Sequence, residues 1–532
     1  MNISLKINKG FIWYSNESIF IKGYFFDRKN NFYQKENALI FLDKITSKEE
    51  FINKVKEING CFSILIKVNN NNNILIASDT TRSFPLFYTF KNEKIHISDD
   101  IVFLKDKYNI SELNKLAKLE FKASLHTYGK KTLLQNVFQV QSNEYLIIEN
   151  NKIIDCSFFF SYATEKEFTN SYNYLKKQTI STFENAFKRL LNSLENKTVV
   201  LPLSGGFDSR LIALMLKKHN YKNVICFTYG RKDSFEIENS KKTAKVLGFK
   251  WHFIEYNAKL IKGYLKTETF KNYAHFAGKY SSMPYLQEYF AVKYLKENNL
   301  IDEKAVFIPG FAGDFLGGSQ FIKVIPKNLK SMEIVNLIFK KKYKLRQFSS
   351  SKQKEIKEEI KKTLLTFDAD FTKKIPPTVF EDFDLKEKIA KYIFNSASIY
   401  TFFGYQHRFP FWDKELLEFF KKIPQEHKQL KVLFDDVLIN HYFKPFNIYF
   451  EKELVPDKKK LTIQKIKDTV KPLLPRQLKN KILEKHDWNN YKLLTDKMSL
   501  EMTEKGLKKK KSIKEYNEII AQWYLHFCKE KL

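Results

Sequence analysis

Thr198-Val-Val-Leu-Pro-Leu-Ser-Gly-Gly-Phe-Asp-Ser-Arg210 decides how this chain is read. Residues 198–203 are an apolar run of strand length ending at Leu203, and residues 211–216 resume beyond the turn as a helical pattern. A strand, a tight glycine turn and a helix start, in that order, aim backbone N–H groups and a helix N-terminus at an anion. Gly205 and Gly206 let the backbone approach a phosphate with no Cβ in the way. Ser204 and Ser209 add hydroxyl donors, whereas Asp208 repels phosphate unless a divalent cation lies between them. The turn therefore predicts Mg²⁺-bound polyphosphate. Walker A is excluded, since it requires G-x-x-x-x-G-K-[ST]. A plain capped helix after a strand is the bland alternative.

Outward from this stretch, long helical patterns alternate with short apolar runs. Helices are predicted over 172–194, up to residue 219, and over 234–247; strands are predicted over 224–228, 252–255 and 305–308. Repeated β-α-β units imply a parallel sheet with helices on both faces. Ligands of such sheets sit beyond the carboxyl ends of the strands. The turns after residues 203, 228 and 308 are thus expected to hold a nucleotide, with Thr228, Tyr229 and Gly230 on one wall and Pro309 and Gly310 on another. From residue 328 the pattern is mainly helical and rich in lysine. The first 160 residues read instead as short strands, over 10–14, 18–26, 60–68, 74–77, 84–90 and 144–149, with helical patterns over 48–58 and 110–118. The asparagine run 69–73 reads as a hairpin loop.

A chain of 532 residues implies two or three domains, and 50 phenylalanines with 43% hydrophobic residues rule out disorder. No stretch approaches the length of a membrane helix, and the start lacks the apolar region of a signal peptide. The four cysteines (Cys61, Cys156, Cys226, Cys528) have neither disulfide-framework nor zinc spacing, which fits a cytoplasmic setting. The formal charge of +32 includes lysine runs at 340–342, 458–460 and 508–511. A polyanion partner such as RNA would suit that charge. The lysines are spread throughout with no aromatic-basic module, however, so solvated lysine faces are the expected reading and nucleic acid is not the expected partner.

Residues 204–209, Ser-Gly-Gly-x-Asp-Ser, resemble the pyrophosphate loop of ATP pyrophosphatases, which cleave ATP to AMP and pyrophosphate. Further segments resemble the asparagine synthetase family, in that family's order. They are Cys226-Phe-Thr-Tyr-Gly230 with Ser234-Phe-Glu-Ile-Glu238, Pro309-Gly-Phe-Ala-Gly-Asp-Phe-Leu-Gly-Gly318, His407-Arg-Phe-Pro-Phe-Trp-Asp413, and Lys431 before Val-Leu-Phe. Toward the amino terminus, Gly60-Cys-Phe-Ser-Ile, Ala77-Ser-Asp-Thr-Thr-Arg82, Phe84-Pro-Leu-Phe-Tyr88 and Ile97-Ser-Asp-Asp100 resemble its glutamine amidotransferase domain.

The resemblance implies an α/β multidomain chain. Residues 1–165 would form an amino-terminal-nucleophile (Ntn) α-β-β-α sandwich, 166–450 a Rossmann-like parallel-sheet ATP pyrophosphatase domain, and 451–532 a helical, lysine-rich extension. It implies ATP and Mg²⁺ as cofactors, with Asp208 and Asp314 as the metal carboxylates and Lys431 and Asp314 as catalytic residues. The implied reaction activates a carboxylate as an acyl-adenylate, which ammonia or a substrate amine then attacks. Aspartate, a surface-polysaccharide sugar acid, a peptide and a β-lactam-type metabolite all stay open as substrates, as does a homodimer. A tRNA-modifying ATP pyrophosphatase and a non-catalytic scaffold are the readings from other classes.

Departures from the family pattern sharpen the expectation. Asn2 stands where the family's nucleophilic cysteine follows the initiator methionine, Cys61 reads as a small core residue, and Lys22-Gly23-Tyr24 replaces the glutamine-pocket segment. An inactive, structural amidotransferase part is expected. Phe311, Phe315 and Gln406 replace acidic residues that shape the acceptor side in relatives.

Overall fold

The apolar run after Lys197 becomes the central strand, Val199–Pro202, of a parallel sheet in which Val199, Val200 and Leu201 are fully buried. Five strands are ordered Lys250–Glu255, Val224–Gly230, Val199–Pro202, Val306–Phe307, Gln406–His407, all parallel. Val199 pairs with Val224 on one side and with Val306 on the other. The chain thus runs outward from the central strand, then crosses back to its other flank. That reversal is the topological switch point, where the loops leaving adjacent strands diverge and open a crevice. The loops after Pro202 and after Phe307 are the two that flank it.

This computed structural model describes residues 1–68, 73–321, 328–367, 369–450, 453, 475–507 and 513–532. The lysine runs 458–460 and 508–511, and all but the last residue of the asparagine run 69–73, lie outside the described residues.

Two further sheets precede the parallel one. A four-stranded sheet includes Phe87–Lys91 and Lys94–Ser98, and a seven-stranded sheet is built around Ile19–Phe26, Asn59–Val68 and Asn73–Ser78. Their facing sides share a core that includes Leu65, Ile76, Ile97 and Leu146. Helices Glu36–Leu42 and Lys48–Glu57 cover the outer face of the larger sheet, where Leu42, Phe51 and Val55 are fully buried. Helix Ile101–Lys107 covers the smaller sheet. The order of layers is α-β-β-α.

Several local expectations shift. The helix expected over 110–118 forms at Lys115–Ser124, because the Asn114 side chain caps it by accepting the Ala117 N–H at 2.9 Å. The strand expected from residue 84 starts at Phe87; Pro85 has no N–H to give to a ladder. Solvated faces do not account for every lysine either. Lys342 pairs with buried Asp384, Lys391 with Glu387 at 2.6 Å and Lys428 with Glu381 at 2.9 Å, all nine-tenths or more buried. The C-terminal helices Tyr491–Glu504 and Asn517–Glu530 pack onto the body of the protein, while helix Arg476–Lys485 has no buried residue among those described. Tyr524, fully buried, accepts the Tyr280 N–H through its hydroxyl at 3.0 Å.

Candidate active site

Helix Phe207–Lys218 follows the central strand, with every residue from Ser209 to Leu216 buried. Its N-cap, Gly206, carries no side-chain cap, so the first N–H groups of the helix are left facing the crevice. The serines hold the turn together. The Ser204 N–H donates to Ser209 Oγ and the Gly206 N–H to Ser204 Oγ, each at 3.1 Å. Thr228 locks the neighbouring strand by donating to the Leu203 carbonyl at 2.7 Å, while it accepts from the Trp251 indole at 2.9 Å.

The loop from the other flank arrives directly on Asp208. The Asp314 N–H donates to Asp208 Oδ2 at 3.1 Å. A Cβ on Gly313 would lie 2.7 Å from the Asp208 carboxyl carbon, so only glycine permits this approach. Burial, and then the charge of Asp314, push the Asp208 carboxyl up to about 7. Lys431, held in a left-handed conformation (φ 62°), forms an ion pair with Asp435 at 3.0 Å and faces Asp208. Burial alone would lower its ammonium, but Asp435 and Asp208 outweigh burial and hold it above its usual value.

A cavity of about 500 Å³ opens here, lined by Leu203, Ser204, Gly206, Asp208, Ser209, Thr228, Tyr229, Pro309, Gly310, Asp314 and Lys431. Two of the expected residues stand behind that wall. Gly205 packs against Asn239 of helix Phe235–Leu247, and Gly230 lies beneath the Trp488 carbonyl.

Among the described residues no group of three or more His, Cys, Asp or Glu side chains could hold a metal. Two carboxylates without such a cage suit Mg²⁺, which takes one or two protein carboxylates and draws its other oxygens from phosphates and water. Burial is the larger cause of the raised Asp208 carboxyl; the charge of Asp314 adds to it and Lys431 offsets part of it.

Residues 179–286 match the family model of asparagine synthase. This segment carries an asparagine synthase domain. A 63-residue stretch, 12% of the chain, is 41% identical to 7-cyano-7-deazaguanine synthase of Sulfurihydrogenibium sp. (strain YO3AOP1), and spans 28% of that protein. Over 209 residues the chain is 25% identical to the microcin J25-processing protein McjC of Escherichia coli, with 36% of this chain and 38% of that protein covered. The chain thus spans well under half the length of these curated relatives. Among solved structures, the NH3-dependent NAD synthetase of Campylobacter jejuni aligns with 38% of this chain and 98% of its own, at 16% identity and a TM-score of 0.20.

The asparagine synthase domain does not form its cavity alone. Asn489, from the turn between helices Arg476–Lys485 and Tyr491–Glu504, lines it beside Tyr229. That turn is pinned where the Arg231 N–H donates to the Trp488 carbonyl at 2.8 Å and Asn490 Nδ2 donates to the Tyr256 carbonyl at 2.7 Å. No motif in the sequence marks Asn489. Only the fold-back of a distant segment puts it there. Substituting Gly230 by Ala would set a Cβ 2.3 Å from the Trp488 carbonyl at φ +125°, and should detach this turn. Faster amide exchange at residues 486–492 would register the detachment, and unchanged exchange would count against the packing.

Two more residues escaped the motifs. Arg210 closes the quoted stretch yet points away from the cavity; fully buried, it donates to the Gly205 carbonyl at 2.9 Å and pairs with Glu453 at 2.6 Å. Glu288 lines the cavity beside Tyr285 and Gln287. Of the three acceptor-side substitutions, only Phe311 reaches the cavity. Phe315 is core, stacked 5.6 Å from Trp412, and Gln406 sits in the sheet opposite Val306.

In the amino-terminal sandwich Cys61 is buried, 3.9 Å from the Thr81 hydroxyl, and burial followed by the charge of Asp79 pushes its thiol up to about 12. A thiol so held has no thiolate at neutral pH.

Proposed function

We propose that this chain is an ATP-dependent amide-bond-forming ligase that activates a carboxylate as an acyl-adenylate and releases AMP and pyrophosphate. One observation carries the reading: the serine–glycine turn, Asp208, the loop bearing Asp314, and Lys431 converge on a single cavity at the switch point of the sheet. Backbone N–H groups of the turn and the uncapped helix start would cradle the pyrophosphate half of ATP. Mg²⁺, held by Asp208 and Asp314, would neutralise charge building on the phosphates. Lys431 reaches the same wall and supplies a fixed positive charge where the α-phosphate develops negative charge. Thr228 and Tyr229, with Asn489 beyond them, would line the base and ribose. Holding both reactants in one crevice then makes the amine's attack nearly unimolecular.

The matched family supports ligase chemistry, and a relative named for microcin J25 processing keeps a peptide among the carboxylate substrates. We assign residues 1–165 a structural role beside the ligase unit. Mg²⁺-dependent exchange of radiolabelled pyrophosphate into ATP, promoted by a carboxylate substrate, tests the reaction. AMP is the expected product, and release of ADP would refute the adenylate.

The nitrogen source is a second expectation. With Cys61 sealed in the core, glutamine should support no turnover, while ammonium or an amine does. Release of glutamate from glutamine by the full chain would contradict this.

A further inference from the structure

Glu288 is the least exposed of the carboxyl groups that line the cavity. It is 5% exposed and lines the cavity. Its Oε2 accepts a hydrogen bond from the Tyr400 hydroxyl. Among the described residues its Oε1 accepts none, and no lysine or arginine pairs with it. It precedes helix Tyr289–Glu297 but does not cap it through its side chain. Its surroundings are aromatic: Tyr229, Tyr285 and Phe311 share the cavity wall, and the Phe311 ring stacks 6.4 Å from Tyr400, which in turn lies 4.4 Å from Phe307.

A buried carboxyl with no counter-cation either keeps its proton or waits for a cation to arrive. Burial pushes Glu288 up to about 7, only partly offset by the Tyr400 hydroxyl, so it sits between those two states at neutral pH. Aromatic faces around an unpaired carboxylate match what an alkylammonium needs, a charge-assisted hydrogen bond and a ring quadrupole. Asn489, Thr228 and Tyr229 lie toward the strand Val224–Gly230, whereas Phe311 and Tyr400 lie toward Val306–Phe307, on the side from which Asp314 comes. Glu288 lies by both groups, with its charge acting on Tyr229 and its Oε2 accepting from Tyr400.

We propose that Glu288, held by Tyr400 and framed by Tyr285 and Phe311, docks a protonated primary amine carried by the carboxylate substrate and distinct from the attacking amine, so that the enzyme selects amine-bearing carboxylates. The inference rests on the ligase reading above and narrows its substrate class.

Pairs of compounds differing only in the amine test it: L-aspartate against succinate, and L-phenylalanine against 3-phenylpropionate. Each is titrated calorimetrically into the full chain saturated with Mg²⁺ and a non-hydrolysable ATP analogue. The amine-bearing member of at least one pair should bind about tenfold or more tightly, the scale of one charged hydrogen bond. Glu288→Gln should abolish that preference without changing affinity for the nucleotide analogue. Glu288→Asp, with the charge on a shorter arm, should retain part of it and stands in if the Gln variant does not fold. Equal affinities within both pairs would overturn the proposal, as would a preference that survives in Glu288→Gln. A tenfold loss of nucleotide affinity in Glu288→Gln would place the residue on the base and overturn it too. Failure of the wild-type chain to bind Mg²⁺–nucleotide is a separate readout, which would sink the ligase reading itself and the amine site with it.

Discussion

Asp208→Asn abolishes ATP–pyrophosphate exchange, by about a thousandfold or more, and leaves the protein folded. The amide keeps the shape that fits against Gly313 and can still accept the Asp314 N–H, so packing is preserved. What disappears is one of the two carboxylates proposed for the metal and one of the acidic charges that act on Lys431 beside its partner Asp435. Metal and donor contacts of this kind supply several kcal/mol of transition-state stabilisation. The pH dependence has a definite sign. Because the folded carboxyl titrates near 7, well above its unfolded value, the fold binds this proton more tightly than the unfolded chain does. Its contribution to apo stability is fully present below the unfolded value, near pH 4, and is lost as pH rises toward 7. Mg²⁺–ATP affinity runs the other way, rising as the carboxyl ionises. Thermal melts and nucleotide titrations from pH 5 to pH 8 should show opposed trends in the wild type; in Asp208→Asn the nucleotide trend should disappear and the fall in stability should shrink to what other raised carboxyls such as Glu288 contribute. Full exchange activity in Asp208→Asn would remove the residue from the site.

Arg210→Met should cost about 3–5 kcal/mol of stability, because it leaves Glu453, its side chain only 9% exposed, without its cation. The guanidinium also holds the Gly205 carbonyl and the Ile448 carbonyl, and packs over the rings of Phe443 and Phe450 at 4.6 and 4.4 Å. It therefore ties the serine–glycine turn to the segment after residue 443. Loss of this brace should lower the unfolding midpoint and weaken nucleotide binding together. In Arg210→Met with Glu453→Met neither charge is stranded, so most of the stability should return while the turn stays loose and nucleotide binding stays weak. A double variant as unstable as the single one would show that the ion pair is not the brace.

The sequence made the serine–glycine wall of the cavity legible because that wall is local. A strand, two glycines and a helix start lie within thirteen residues, and their chemistry is written in residue type. The second carboxylate was also legible, since glycines crowd around Asp314 for the same reason that the backbone must touch Asp208. What could not be read depends on long-range folding. Asn489 reaches the cavity only because Gly230 leaves room for the Trp488 carbonyl. Glu288 gives no signal in a sequence with 60 acidic residues, since its meaning comes from burial and from a tyrosine more than a hundred positions away. Phe315 misled for the opposite reason. It occupies a motif position, yet its ring turns into the core against Trp412. Charge counting likewise missed the lysines that the fold buries, because a buried partner such as Asp384 or Glu387 is unmarked in the sequence.

Crystals of the full chain grown with Mn²⁺ and a non-hydrolysable ATP analogue test the central claim most directly, since manganese scatters anomalously and takes magnesium's ligands. The account predicts an anomalous peak within coordinating distance of both Asp208 and Asp314, with the triphosphate lying along residues 204–209. A peak elsewhere, or a nucleotide bound away from that turn, would contradict it.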